Sequence, residues 1–123
     1  MRDEMTSFFS AYRDAFSKGP AAIADFYAEP CVTARTGTVR VNATRKQTQV
    51  IFADIDRRYR AKGFTHGEML SLEAKPLGAN SVLATVHWAY KGAAGTTLWE
   101  TTFSYNLYRY ERGWKILLQT MHD

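Results

Sequence analysis

Apolar residues in the first half of the chain recur at helical spacing and predict three helices. In the first helix they lie every four residues, at Phe8, Tyr12 and Phe16, and so form one aromatic face. A hydroxyl residue at position 6 or 7 caps this helix, and Thr44 caps the third. The predicted elements of this half are helices over residues 7–18, 20–27 and 44–62 and short strands over residues 31–35 and 38–41.

The second half alternates between apolar and polar residues, which predicts strands. These strands cover residues 65–75, 81–90, 96–111 and 114–122. The second of them alternates most clearly, with one apolar face made of Val82, Ala84, Val86, Trp88 and Tyr90. Because short turns connect these strands, neighbours are expected to pair antiparallel. The third strand is unusually long, so we expect a bulge to bend it.

Helices followed by strands in this order predict the α+β class. The expected architecture is a curved antiparallel sheet wrapped around the three N-terminal helices, with a cavity between sheet and helices. A chain of 123 residues, 46% of them hydrophobic, is long enough to form one domain over residues 1–123 with its own core.

The charge and the cysteine content bear on the class of partner and on the cellular compartment of the protein. The formal net charge of +4 is mild, and its basic cluster near residue 60 is interpreted as a solvated helix face, so no nucleic-acid partner is predicted. The charged first residues and the short apolar runs predict neither a signal peptide nor a membrane span. A single cysteine, Cys31, excludes an intrachain disulfide, and a cytoplasmic location is expected.

The histidines do not form a metal-binding pattern. His66, His87 and His122 are far apart in sequence, and none has a second ligand at metal-binding spacing. Cys31 has no adjacent base and is interpreted as a small buried residue. No metal and no cofactor is therefore predicted.

Two local patterns carry a family resemblance. The segment FYAEPCVTARTG joins an aromatic helix end to a first strand, and the segment YNLYRYERGWKILLQTMHD forms a C-terminal hairpin with a Gly-Trp turn. Together with the element order, these patterns resemble the nuclear transport factor two-like superfamily, which includes ketosteroid isomerases and SnoaL-like polyketide cyclases. The resemblance covers nearly the whole chain and implies a cone-shaped, cystatin-like fold with an internal cavity.

Ketosteroid isomerase uses an aspartate base and an oxyanion hole formed by a tyrosine and a protonated aspartic acid. The resemblance places the tyrosine at Tyr12, the base at or near Arg35 and the protonated acid at Asn106. Arginine stays protonated at pH 7 and cannot accept the proton, so this isomerisation is not expected. Arg35 suits a ligand carboxylate instead. The alternatives are a core role for Tyr12 and a surface ion pair with Glu29 for Arg35.

The residue pattern and the resemblance assign the faces of the long third strand differently. One face is aromatic and consists of Trp99, Phe103, Tyr105 and Leu107. The opposite face is more polar and consists of Glu100, Thr102, Ser104 and Asn106. Strand physics alone buries the aromatic face under the helices, whereas the resemblance turns Asn106 into the cavity.

Two arrangements reconcile these assignments. The favoured one packs the aromatic face against a second subunit, which predicts a homodimer through the sheet. The other reverses the side-chain alternation at a bulge. In the dimer, Glu100 would lie in the cavity as a candidate acid or base; otherwise it faces solvent.

These observations predict a small-molecule-binding domain with an aromatic-lined cavity. The candidate ligand-binding residues are Tyr12, Arg35, Trp88 and Asn106, and the expected ligand is a small apolar or carboxylate-bearing molecule. The alternative is a cofactor-independent isomerase, cyclase or dehydratase of the SnoaL-like kind, with Glu100 as its candidate catalytic group. The sequence assigns no reaction.

Overall fold

Three helices and six strands follow one another in the predicted order. The computed structural model describes residues 1–123. The elements are α1 (Arg2–Ala15), α2 (Pro20–Ala24), β1 (Tyr27–Arg35), β2 (Thr38–Asn42), α3 (Arg45–Ala61), β3 (His66–Pro76), β4 (Ser81–Lys91), β5 (Thr97–Tyr110) and β6 (Gly113–Met121). None of the three helices is both long and apolar enough to cross a membrane.

All six strands belong to one curved sheet in the order β2-β1-β6-β5-β4-β3. Neighbouring strands in the sheet pair antiparallel, except for β1 and β6. These two pair parallel and so join the two halves of the chain. The β1–β2 hairpin turns at Thr36 and Gly37, whose φ angles of 49° and 76° match a two-residue turn that needs both angles positive. The predicted α+β class with a curved, mostly antiparallel sheet is therefore confirmed.

Helix boundaries follow local capping in one case and differ from expectation in two. Thr44 caps α3 as predicted, since its hydroxyl accepts a hydrogen bond from the Gln47 N–H at 3.2 Å. The α1 helix begins at Arg2, ahead of the predicted cap, with Asp3 and Glu4 in its first turn, where carboxylates complement the helix dipole. The α2 helix ends at Ala24, because the chain is already extended at position 27 and pairs with β6.

The aromatic face of β5 lies in the core. Phe103, Tyr105 and Leu107 are each at most 2% exposed and face the helices. Side-chain alternation holds along this stretch because the irregularities fall elsewhere, at Leu98 near the start of β5 and at Leu117 in β6. The expectation that this aromatic face packs on a second subunit is thus wrong, and burial in the core follows the simple alternation of a strand.

The core is unusually rich in aromatic rings. The Phe9 ring of α1 lies 4.7 Å from the Tyr105 ring of β5, and the Tyr90 and Trp99 rings stack at 4.8 Å. Ring pairs at these separations add about 0.5–1.5 kcal/mol each to the burial of their apolar area. This packing fixes the helices against the sheet and leaves one small cavity between them.

Candidate functional site

The cavity lies between α1, α3 and the inner face of the sheet. The volume of the cavity is about 40 Å³, enough for about three water molecules. Ten of its fourteen lining residues are hydrophobic; the lining is Tyr12, Arg13, Phe16, Arg35, Phe52, Ile55, Tyr59, Phe64, Gly67, Trp88, Tyr90, Phe103, Tyr105 and Gln119. An apolar wall with a few polar groups is the usual character of a small-molecule site.

Arg35 is the one cavity residue whose charge has no counter-ion. Its guanidinium donates to the Tyr59 hydroxyl at 2.7 Å and to the Gln119 Oε1 at 3.4 Å, and its Cζ lies 5.4 Å from the centre of the Phe103 ring. None of the eight ion pairs in the structure includes Arg35. The cavity's other arginine, Arg13, is paired with an aspartate at 3.1 Å.

The predicted alternative, a surface ion pair between Arg35 and Glu29, is wrong. The Glu29 carboxylate instead accepts a hydrogen bond from the Arg45 backbone N–H at 2.6 Å, at the first turn of α3. Arg35 lies near the other end of that helix, where its guanidinium donates to Tyr59, and residues 31, 33 and 35 of β1 share the inward-facing alternation.

The surroundings of Arg35 hold its proton firmly. Burial by itself lowers the pKa of the guanidinium, but the neighbouring Tyr59 oxygen and the hydrogen bond to it raise the pKa above its ordinary value. The cavity therefore carries one positive charge without a counter-ion at any physiological pH.

Hydroxyl groups surround this charge. Tyr12 and Tyr27 share a hydrogen bond of 2.7 Å between their hydroxyl oxygens, and the Trp88 Nε1 donates to the Tyr105 hydroxyl at 3.0 Å. Burial raises the pKa of Tyr12, Tyr27 and Tyr105 well above the ordinary tyrosine value. At neutral pH these hydroxyls keep their protons and act as hydrogen-bonding groups, not as bases.

Comparison with known proteins identifies the family. A family profile described as NTF2-like protein (DUF6841) matches residues 3–123. The chain belongs to this NTF2-like family. No protein of curated function matches it.

Solved structures with the same fold are distant in sequence. An NTF2-like protein of unknown function from Shewanella oneidensis MR-1 has 16% identity and a TM-score of 0.77, with 99% of this chain and 98% of that chain covered. An NTF2-like protein with a cystatin-like fold from Novosphingobium aromaticivorans has 17% identity and a TM-score of 0.76, covering 98% and 79%. The yeast UBP3-associated protein BRE5 has 16% identity and a TM-score of 0.78, covering 98% and 94%. At such identities the likeness concerns the fold alone.

The structure of this NTF2-like chain separates the predicted site residues into two groups. Tyr12, Arg35 and Trp88 lie in the cavity wall. Asn106 does not, because it occupies the outward-facing alternation of β5, between the inward-facing Tyr105 and Leu107. The expectation that Asn106 lines the cavity is wrong, since the parallel with the isomerase acid does not survive the register of this strand.

Glu100 also lies outside the cavity. It shares the outer face of the sheet with His87, whose Nε2 is 2.6 Å from the Glu100 Oε1, while the His87 Nδ1 is 2.7 Å from the Thr102 hydroxyl. About half of the Glu100 side chain is exposed (48%). The prediction of a cavity acid at Glu100 fails for the same reason as that of Asn106: the even-numbered residues of β5 from 100 to 106 face away from the helices.

Two polar residues of the cavity, Tyr59 and Gln119, are not predicted from the sequence. In sequence, Tyr59 only continues the apolar stripe that Val50, Ile51 and Ile55 form along α3, and nothing local indicates that its hydroxyl meets Arg35. Gln119 is 2% exposed, although a glutamine in a final strand reads as a surface residue. The bulge at Leu117 is the cause, because it lets both Ile116 and Gln119 face the core.

Proposed function

We propose that this NTF2-like domain binds a small molecule with an apolar body and a carboxylate, and that the carboxylate pairs with Arg35. The observation that carries the proposal is a half-buried guanidinium in an aromatic cavity without a counter-ion. Buried charges in proteins are nearly always paired, because removing a charge from water costs several kcal/mol.

The donors of Arg35 support a carboxylate as the missing partner. A guanidinium has five N–H groups. In Arg35 it donates only two hydrogen bonds, to Tyr59 and to Gln119, so further N–H groups are free to bind a ligand. A carboxylate can accept two parallel hydrogen bonds from a guanidinium, a geometry that adds both strength and orientation. The apolar body of the ligand would then contact the rings of Tyr12, Trp88 and Phe103.

The size of the cavity limits the ligand. Space for about three waters corresponds to a carboxylate with a short hydrocarbon chain. An aromatic acid would need half-buried side chains of the lining, such as Arg13 and Phe16, to move outward. We therefore expect affinity to rise from acetate to butyrate and to fall for benzoate.

The ionisable groups of the lining favour binding over proton transfer. They are tyrosines and arginines, and neither arginine nor a tyrosine of raised pKa accepts a proton at neutral pH. A SnoaL-like reaction through Glu100 has no support from the geometry, since that carboxylate lies on the far face of the sheet.

A homodimer through the outer face of the sheet, and a cytoplasmic location, remain part of the proposal. Support for the dimer comes from apolar residues at the β2–β1 edge, where Val39 and Val41 are 70% and 69% exposed. Sedimentation at micromolar concentration tests it: a monomer of 14.0 kDa would contradict the dimer. The single free cysteine, which is buried, is compatible with a reducing compartment.

The carboxylate is tested by calorimetric titration of butyrate against butyramide, its uncharged isostere. Butyrate is expected to bind at least tenfold more tightly, because a hydrogen bond to a charged partner contributes about 1.5–3 kcal/mol. This comparison needs no variant, so it stands even if changes at Arg35 impair folding. Equal binding of the two compounds, or binding of neither, would overturn the proposal.

Variants then locate the contact. Arg35→Gln should remove the preference for butyrate, while the matched control Arg112→Gln, which removes the same charge from an exposed turn, should leave it intact. Loss of the preference in both variants would indicate a general effect of net charge.

A further inference from the structure

A surface cleft adjoins the aromatic cavity between the end of α1 and the start of β3. This α1–β3 cleft has a volume of about 360 Å³ and eight lining residues: Arg13, Asp14, Phe16, Ser17, Thr65, His66, Gly67 and Glu68. Three of them, Arg13, Phe16 and Gly67, also line the aromatic cavity. These three are half-buried and the other five are exposed, so the shared residues form a boundary at which the cavity meets solvent.

Gly67 keeps this boundary thin. It lies in β3 without a side chain, and a Cβ at its position would still be 3.9 Å from the nearest atoms, the Arg13 Cγ and the Ala89 carbonyl oxygen. A glycine within a strand often marks a place where a ligand approaches the backbone closely. A ligand chain that leaves the cavity here would pass between Gly67 and the side chain of Arg13.

The lining of the cavity holds two guanidinium groups and no carboxylate. Arg35 lies on β1, whereas Arg13 packs beside Gly67 of β3. In the sheet, β6, β5 and β4 lie between these two strands. The two arginines therefore approach the cavity from opposite sides, and a ligand with an anionic group at each end would pair with both.

The guanidinium of Arg13 is only partly engaged. Its Nε donates to the Asp14 carboxylate at 3.1 Å, and its two terminal nitrogens donate to no group of the protein. The side chains of Arg13 and Asp14 are 37% and 59% exposed, and an ion pair between such exposed neighbours contributes little to stability. The other carboxylate of the cleft, Glu68, pairs with Lys91 at 3.2 Å. The terminal nitrogens of Arg13 are thus free to bind a carboxylate of a ligand.

We propose that the ligand of the cavity is a short dicarboxylate, with one carboxylate on Arg35 and the other in the α1–β3 cleft on Arg13. This assignment rests on the proposed function, because the first carboxylate pairs with the same guanidinium. The hydrocarbon chain between the two carboxylates would contact the aromatic rings of the wall. The planar fork of the Arg13 guanidinium matches the two oxygens of the second carboxylate, which stays in contact with water at the edge of the cleft.

The test compares dicarboxylates with their monoamides by calorimetric titration at constant ionic strength. Glutarate, adipate and pimelate are each titrated beside the monoamide, which keeps one carboxylate for Arg35 and replaces the other by an uncharged group of similar shape. Because a dicarboxylate can bind in two equivalent orientations, it gains about twofold without any contact to Arg13. A partly exposed pair with Arg13 adds up to about fivefold. The best of the three dicarboxylates should therefore bind about tenfold more tightly than its monoamide.

Variants on both sides of the ion pair locate the second carboxylate. Arg13→Gln should lower the ratio of dicarboxylate to monoamide affinity to about twofold, and it should keep the preference for butyrate over butyramide. Asp14→Asn should raise the ratio about twofold, because it removes a neighbouring negative charge and releases the Arg13 Nε. The matched controls Arg112→Gln and Glu111→Gln remove equal charges from the exposed β5–β6 turn and should leave the ratio unchanged.

The role of Arg13 is overturned if no dicarboxylate binds more than about twofold better than its monoamide, if Arg13→Gln keeps the wild-type ratio, or if Arg112→Gln lowers the ratio as much. If butyrate is still preferred over butyramide in these cases, the carboxylate site at Arg35 stands and only the second contact is wrong. If neither butyrate nor any monoamide binds, the proposed function fails as well.

Discussion

Replacing Thr33 by valine is expected to stabilise the free protein. Thr33 occupies a β-strand at 1% exposure, and its hydroxyl has no hydrogen-bond partner. Valine has the same branched shape and suits a strand equally well, so the substitution exchanges a buried, unsatisfied hydroxyl for a methyl group with little change in packing.

The magnitude follows from the burial. Burying a hydroxyl without a partner costs about 1–3 kcal/mol in proteins, and a buried methyl group contributes about 0.8 kcal/mol. Because the denatured chain already buries part of its surface, we expect a net gain of about 1–2 kcal/mol. With an unfolding entropy of about 2.1 cal/mol/K per residue, a chain of this length should melt about 4–8 °C higher.

The matched control is Thr48→Val in α3. Thr48 is also 1% exposed, but its hydroxyl lies 3.3 Å from the Cys31 Sγ. This change removes a formed hydrogen bond and should lower the free energy of unfolding by about 0.5–1.5 kcal/mol. Urea denaturation followed by tryptophan fluorescence measures both variants on one scale.

The difference in the free energy of unfolding between Thr33→Val and Thr48→Val tests whether the Thr33 hydroxyl lacks a partner. If Thr33→Val destabilises the protein as much as Thr48→Val does, the Thr33 hydroxyl is hydrogen-bonded in solution.

Three further changes probe the helix cap, the faces of the sheet and the buried tyrosines. Thr44→Ala should cost about 1 kcal/mol, because the Gln47 N–H loses its acceptor; a thermal melt measures this, and an unchanged midpoint would contradict the cap. Phe103→Ala should cost about 3–5 kcal/mol, whereas Tyr108→Ala, 37% exposed on the same strand, should cost far less in urea denaturation; similar losses would show that the strand faces are assigned wrongly. Because burial raises the pKa of Tyr105 well above its unfolded value, the folded state keeps its proton longer, so stability should be full below about pH 10 and fall as the pH rises further. Denaturation midpoints from pH 8 to pH 11 test this, and a midpoint that does not fall would refute it.

The sequence by itself determined the class of the fold and most of its elements. In residues 81–90 the alternation of apolar and polar side chains predicts which of them are buried. Successive side chains of a strand point to opposite faces, and here one face lies on the core. Thr44 and the Thr36-Gly37 turn act on their own neighbours, so α3 and the β1–β2 hairpin could be placed from local residues alone. The position of Trp88 in the cavity wall follows from the same alternation, whereas Tyr12 was placed there by the family resemblance.

Tertiary structure alone decided which polar groups meet. Arg35 reaches Tyr59 and Gln119 across 24 and 84 residues of chain, and no local pattern records contacts of that range. Strand register decided against Asn106 and Glu100, since a shift of one residue moves a side chain to the other face of a sheet. Local periodicity states that a residue is buried, but its partner depends on bulges and on the pairing of β1 with β6, which arise only when the whole chain packs.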